Sequence, residues 1–226
     1  GKSTLVKLSC GLLKPKSGEV LLDGKSTKAV KTSALAGKIG FLFQNPDRQI
    51  CCATAREEVL FTPTQTGTVT DEICKKADAL LQKFNIDPND EPFCLSRGQR
   101  QILALLSVLI TDPEVLIIDE PTTGLDYHEC TRIMEEIKEM NKRGTTVIAV
   151  CHDMELVIDY MHRAIVLNTG EILADGKTAD IFRNETVLSR AGILPPQIMQ
   201  IAREANMEDI CYVEDAVSYI KNHKKA

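Results

Sequence analysis

Two short stretches of this sequence carry residue types that could act on a phosphorylated ligand. Gly1-Lys2-Ser3-Thr4 leads into a run, Thr4 to Leu13, in which Leu5, Leu8, Leu12 and Leu13 recur on one helical face, so the tetrapeptide opens a helix. A helix start presents unpaired backbone N–H groups and the positive end of a dipole to an anion. Lys2 adds a full charge there and Ser3 a hydroxyl for a metal ion. The second stretch is Val115-Leu116-Ile117-Ile118, followed by Asp119 and Glu120. A continuous apolar run of this kind reads as a central parallel strand covered on both faces, and ligands in open α/β sheets bind beyond the carboxyl ends of such strands. A hydroxyl and an aspartate on one magnesium ion give both stretches a purpose: Asp119 would hold the metal through its shell and Glu120 would polarise an attacking water. Taken singly, GKST is four small polar residues, and adjacent carboxylates can be plain strand-end charges.

The elements that must position these residues can be read around them. KIGFLFQ (Lys38 to Gln44) reads as a buried strand running into the loop NPDRQ, TTVIAVCHD (Thr145 to Asp153) as a second core strand, and EVLLDG (Glu19 to Gly24) as a short strand closed by an Asp-Gly turn. Helices are expected over Asp71 to Ile86, where Ile73, Ala77, Leu80, Leu81 and Phe84 share a face, and from about Ser96 to Ile110, begun by LSRGQ and ended by Asp112-Pro113. Others are expected over Tyr127 to Arg143, stopping at Gly144, and over Met154 to Met161. RAIVLNTGEILADG (Arg163 to Gly176) reads as two strands joined at Asn168-Thr169-Gly170. After Pro195-Pro196 two short helices follow, Gln197 to Ala205 and Val213 to Lys221. Helices alternating with buried strands imply an α/β sheet. The LSRGQ helix start is small and glycine-containing, which suits close approach to phosphate and equally suits a plain cap.

Composition narrows the classes. The 226 residues are 43% hydrophobic and 26% charged, too apolar for a disordered chain and enough for one large domain with at most a smaller lobe. A net charge of -5 argues against a general nucleic-acid binder, whose affinity comes from a basic surface. The longest apolar run, Ile102 to Ile110, is about half the length that crosses a bilayer. Eight cysteines form no Cys-x-x-Cys pair and read as thiols in a reducing compartment, and the four histidines show no ligand spacing.

In their order along the chain, these motifs resemble the ATP-binding-cassette (ABC) ATPases, from Gly1 to about Gly176. GKST matches the end of the Walker A loop, Gln44 in FLFQNPDRQ the Q-loop, LSRGQ the family signature, VLIIDEP Walker B, TGLD with Asp126 the D-loop, and CHD with His152 the switch histidine. The resemblance implies a P-loop NTPase fold with a mostly parallel sheet, a helical subdomain and a C-terminal helical extension. It implies ATP and Mg2+ as cofactors, with Gly1, Lys2, Ser3 and Thr4 binding nucleotide, Ser3, Gln44 and Asp119 around the metal, and Glu120, His152 and Gln44 as the catalytic set. In this family two cassettes sandwich two ATP molecules, so Ser96, Arg97, Gly98 and Gln99 would act in trans on the nucleotide held by a homo- or heterodimeric partner.

FLFQNPDRQI with REEVLF (Arg56 to Phe61), and ILPPQI (Ile193 to Ile198), are similar to the ATPases of energy-coupling factor (ECF) transporters. That likeness implies solute uptake through an integral membrane subunit, peripheral attachment at the cytoplasmic face of the membrane, and no nucleic acid partner. The expected domains are an ABC ATPase domain over 1–194, with a helical subdomain about 52–112, and an extension over 195–226. The departures from the family pattern are Arg97 at a usual glycine of the signature, Ile102 at a common arginine, Tyr127 at a frequent proline and, largest, the missing segment ahead of GKST. An N-terminally truncated chain is therefore expected, one that binds ATP poorly. A catalytically impaired partner subunit and a non-transport ABC ATPase are the alternatives.

Overall fold

Helix α1 (Lys2–Ser9) begins where GKST predicts a helix start. It ends earlier than the apolar spacing suggests, because Gly11 turns into a left-handed conformation at φ +73° and leaves Leu12 and Leu13 exposed. Strand β1 (Leu21–Leu22) pairs antiparallel with β2 (Lys25–Ser26) across Asp23-Gly24, both at positive φ. The Asp-Gly turn lies where the sequence puts it, on a strand much shorter than Glu19 to Gly24. Then follow α2 (Thr32–Leu35), β3 (Ile39–Leu42), a 3₁₀ turn over Pro46–Arg48, the helices α3 (Ala55–Val59), α4 (Phe61–Thr66) and α5 (Asp71–Lys83), a second 3₁₀ turn over Pro92–Cys94, and α6 (Arg97–Leu109). Strand β4 (Val115–Asp119), helix α7 (Tyr127–Lys142) and strand β5 (Thr146–Val150) come next. This computed structural model describes residues 1–207 and 210–223. It divides into a unit of residues 3–150 and a unit of residues 151 onward that includes residues 1 and 2.

In the first unit β3, β4 and β5 form one parallel sheet with β4 in the middle, Leu42 opposite Ile118 and Asp119 opposite Val150. Leu116, Ile117 and Ile118 are at most 1% exposed, which is why this strand reads as a continuous apolar run rather than an alternating one. Val6 of α1 shares a core cluster with Ile39, Ile117 and Val150, so the helix that GKST opens is seated on all three strands. Helix α6 buries Ile102, Leu103, Leu105 and Leu106 among α3, α4, α5 and β3.

The start of α3 is fixed by a capping box, Thr54 with Glu57, and Arg56 ties it to Asp78 of α5 at 2.7 Å. Glu58, 2% exposed, accepts the backbone N–H groups of Cys51 and Cys52 at 2.9 Å each. Burial, and then the Glu58 carboxylate, push the Cys52 thiol up to about 12.

The second unit holds α8 (Met154–Tyr160), a hairpin of β6 (Arg163–Asn168) and β7 (Glu171–Lys177), and the helices α9 (Thr178–Arg183), α10 (Glu185–Ala191), α11 (Gln197–Glu204) and α12 (Val213–His223). The hairpin turns at Thr169-Gly170, at φ +48° and +87°, the two left-handed residues that a tight two-residue connection requires. Arg163 closes its open end on Asp175 with bonds of 2.7 and 2.8 Å. Ile158, Phe182, Leu188, Met199 and Cys211 form the core of this unit. Of the expected C-terminal extension, residues 208–209 and 224–226 lie outside the described residues. Among the described residues no helix is long and apolar enough to cross a membrane, and no cysteine is in a disulfide.

Candidate functional site

Strand β4 carries Asp119 as its last residue and delivers Glu120 just beyond its carboxyl end. Asp119 is 3% exposed, and its Oδ1 is buried without a hydrogen-bond partner. A buried carboxylate oxygen with no donor is costly in a protein interior, and native sites carry one when a ligand or ion completes it. Magnesium uses one or two carboxylates together with water and phosphate oxygens, so the chemistry of this oxygen fits the metal implied by the sequence. Ser3, half-buried in the first turn of α1, offers the hydroxyl.

Glu120 sits at φ +56°, in the left-handed region that a residue with a side chain adopts at a cost of about 1 kcal/mol or more. Its N–H donates to the carbonyl of Val150 at 2.8 Å, which holds the strained peptide against the neighbouring strand. Its carboxylate accepts a hydrogen bond from Gln44 Nε2, also at 2.8 Å. The two residues are 76 positions apart, and parallel pairing of β3 with β4 accounts for the meeting: Leu42 and Ile118 are register partners, and each chain runs two residues past that point. A carboxylate and an amide are thereby set beside a buried carboxylate whose Oδ1 has no partner, at the carboxyl end of the sheet. That arrangement can position a water and accept its proton.

The signature stretch caps α6. Ser96 Oγ accepts from the Gln99 N–H at 3.2 Å, and Gln99 Oε1 accepts from the Ser96 N–H at 3.0 Å, so these two side chains satisfy the helix start reciprocally. Gly98 is buried against the loop before α7: a methyl group there would lie 3.2 Å from both the Gly124 carbonyl oxygen and Glu129 Oε2. Arg97, exposed, runs alongside Gly124, where an added carbon would meet its Cδ and Nε at 3.4 Å. Asp126 caps α7, with its Oδ1 accepting from the Glu129 N–H at 2.8 Å and its own N–H donating to Glu129 Oε2 at 3.2 Å. Signature and D-loop are thus one packed surface within a single chain. Asp126→Ala is expected to cost about 1 kcal/mol through loss of this cap, read as a lower urea midpoint with an unchanged slope.

Three positioning residues escape a reading of the sequence. Gln49, in the loop after Gln44, accepts the Phe43 N–H at 3.2 Å and donates to the Ala104 carbonyl at 2.7 Å. Arg100 pairs with Asp47 at 2.8 Å. Together they fasten the Gln44 loop to the helix that LSRGQ begins. Their polarity within NPDRQ and GQRQ is visible, but nothing local signals a partner more than 50 residues away. Gly1, Lys2 and Thr4 are exposed at the start of α1. His152 is exposed two residues beyond β5 and belongs, with Gly1 and Lys2, to the unit of residues 151 onward.

Comparison with known proteins identifies the family. Residues 1–123 match the family model described as ABC transporter. A protein of Methanosarcina acetivorans named as an ABC transporter ATP-binding protein is 39% identical over 228 residues, which is 98% of this chain and 37% of that protein. An energy-coupling factor transporter ATP-binding protein of Methanothermobacter thermautotrophicus is 35% identical over 211 residues, covering 92% of this chain and 68% of the relative. Among solved structures, an ATP-binding cassette described as a dimer in a post-hydrolysis state bound to ADP and Pi superimposes with a TM-score of 0.69. It shares 32% sequence identity, with 79% of this chain and 81% of the other covered. The chain spans 37% to 39% of the length of three of the curated relatives that it matches over nearly all of its own residues. Motif order, the parallel sheet and these matches have one conclusion: the chain belongs to the ABC transporter ATP-binding family.

Proposed function

We propose that this chain is the ATP-binding and hydrolysing part of an ECF-type importer, driving solute uptake through a separate integral membrane subunit from the cytoplasmic face. The observation that carries this reading is the hydrogen bond from Gln44 to Glu120 beside the buried, unpartnered oxygen of Asp119. ATP with Mg2+ supplies the phosphoryl group and the charge that neutralises its oxygens. Gly1, Lys2, Ser3 and Thr4 bind the phosphates, with the start of α1 aimed at an anion. Asp119, Ser3 and Gln44 would hold the metal. Glu120 takes the proton of the attacking water on its carboxylate, Gln44 orients that carboxylate, and His152 keeps water and terminal phosphate in register.

Ser96 and Arg97 are exposed at the α6 start, which supports a role for Ser96, Arg97, Gly98 and Gln99 toward the nucleotide of a second cassette, in a homo- or heterodimer. The ATPase domain covers 1–194, with a helical subdomain about 52–112 that contains α3 to α6, and the extension covers 195–226. Helices α11 and α12 leave Ile201, Val213, Val217 and Ile220 exposed, which supports assigning the extension to subunit pairing.

Sedimentation velocity tests the sandwich. Glu120→Gln protein, once its binding of magnesium-ATP is established by equilibrium dialysis, is expected to dimerise with that nucleotide and to return to monomer when magnesium-ADP replaces it. Identical sedimentation under both conditions would overturn the reading.

A further inference from the structure

Downstream of the Gln44 loop, Cys51, Cys52 and Glu58 come together at the entrance to the helical segment. Their ligand atoms, two Sγ and one carboxylate oxygen, all lie within 4.8 Å of one another. Zinc bonds of about 2.3 Å to sulfur and about 2.0 Å to oxygen place neighbouring ligand atoms of a tetrahedral site roughly 3.5–3.8 Å apart. Closing the cluster from at most 4.8 Å to these separations asks for shifts of about 1 Å. We propose that Cys51, Cys52 and Glu58 form a binding site for a thiophilic divalent cation of the zinc class, with water completing the coordination.

The backbone of the site is fixed beforehand. One carboxylate oxygen, Glu58 Oε2, receives the N–H groups of both cysteines at 2.9 Å each, so the two thiols hang from a peptide already clamped over the third ligand. Glu58 is itself immobilised, 2% exposed within α3, whose start is locked by the Thr54–Glu57 capping box. Preorganisation of this kind reduces the ordering cost of binding. Access is open, since Cys51 is exposed and Cys52 half-buried. Binding releases two thiol protons to solvent and leaves two thiolates, one carboxylate and one dication, a net charge of -1 as in the empty site. Two sulfurs and one oxygen favour zinc or cadmium over magnesium, whose ligands are hard oxygens, so this site and the Asp119 oxygen draw different ions. An ion here would tie the loop downstream of Gln44 to α3.

Cadmium titration of the reduced chain, followed by sulfur-to-metal charge-transfer absorption with zinc as competitor, tests the proposal. One ion per chain is expected, with the absorption abolished in a Cys51→Ser, Cys52→Ser double variant. Affinity should fall about tenfold or more in Glu58→Gln and be unchanged in Cys94→Ser, an exposed cysteine elsewhere. Circular dichroism checks that each variant is folded; if Glu58→Gln unfolds, Cys51→Ser alone, at an exposed position, decides between the two outcomes. In parallel, zinc should raise the melting midpoint of the wild type and of Cys94→Ser but not of Cys51→Ser. Absorption that survives the double variant, the absence of any charge-transfer band in reduced protein, or equal zinc stabilisation of all variants would overturn the assignment.

Discussion

Glu120→Gln is expected to lower steady-state ATP hydrolysis by about 10²–10⁴-fold, the usual contribution of a positioned general base, while nucleotide affinity changes little. The amide is nearly isosteric with the carboxylate, and its oxygen can still accept from Gln44, so the local packing stays. What disappears is the ability to take a proton from water. The left-handed backbone at this position is held by the bond from its N–H to Val150, and that bond is untouched by the substitution. A turnover assay at saturating magnesium-ATP, set beside the binding constant of a fluorescent ATP analogue, separates the two quantities. Unchanged turnover in the variant would remove Glu120 from the role of general base.

The second large effect is on stability. Ile117→Ala is expected to cost about 2–5 kcal/mol, the range for truncating a large aliphatic side chain in a close-packed interior. Ile117 lies at the centre of the middle strand, 1% exposed, and packs in one cluster with Val6, Ile39 and Val150. Its removal opens a cavity under α1, so nucleotide affinity should fall together with the denaturation midpoint. Ile148 on β5 is the control: it is 41% exposed, and Ile148→Ala should stay within about 1 kcal/mol. Guanidinium unfolding of the two variants makes the comparison, and equal midpoints would mean that the sheet core is not where stability resides.

Burial on both faces makes β4 legible, because a strand covered twice has no polar positions to blur its pattern. The start of α6 is equally plain, since Ser96 and Gln99 lie three residues apart before an apolar run and that spacing is a cap. Helices α3, α4, α9 and α10 are not legible, since five to seven residues hold few turns for an apolar face to repeat, although α8, at seven residues, is. Pro63 obscures α4 further, although it lies in the first turn, where a missing N–H costs nothing. At the site, GKST and Asp119-Glu120 are visible as chemistry, whereas the roles of Gln44 and His152 come from motif order alone. The meeting of Gln44 with Glu120, and the Gln49 and Arg100 fasteners, depend on which strands and helices become neighbours. No local spacing encodes that.

The backbone at residue 120 has an evolutionary consequence. Only glycine occupies a left-handed conformation without penalty, so the fold alone would be more comfortable without any side chain at the end of β4. A gene copy relieved of the demand for turnover has a downhill path open there: a single change to glycine relaxes the peptide and removes the carboxylate proposed to activate water. An active lineage has to be held at this position by selection on flux, against the preference of its own polypeptide.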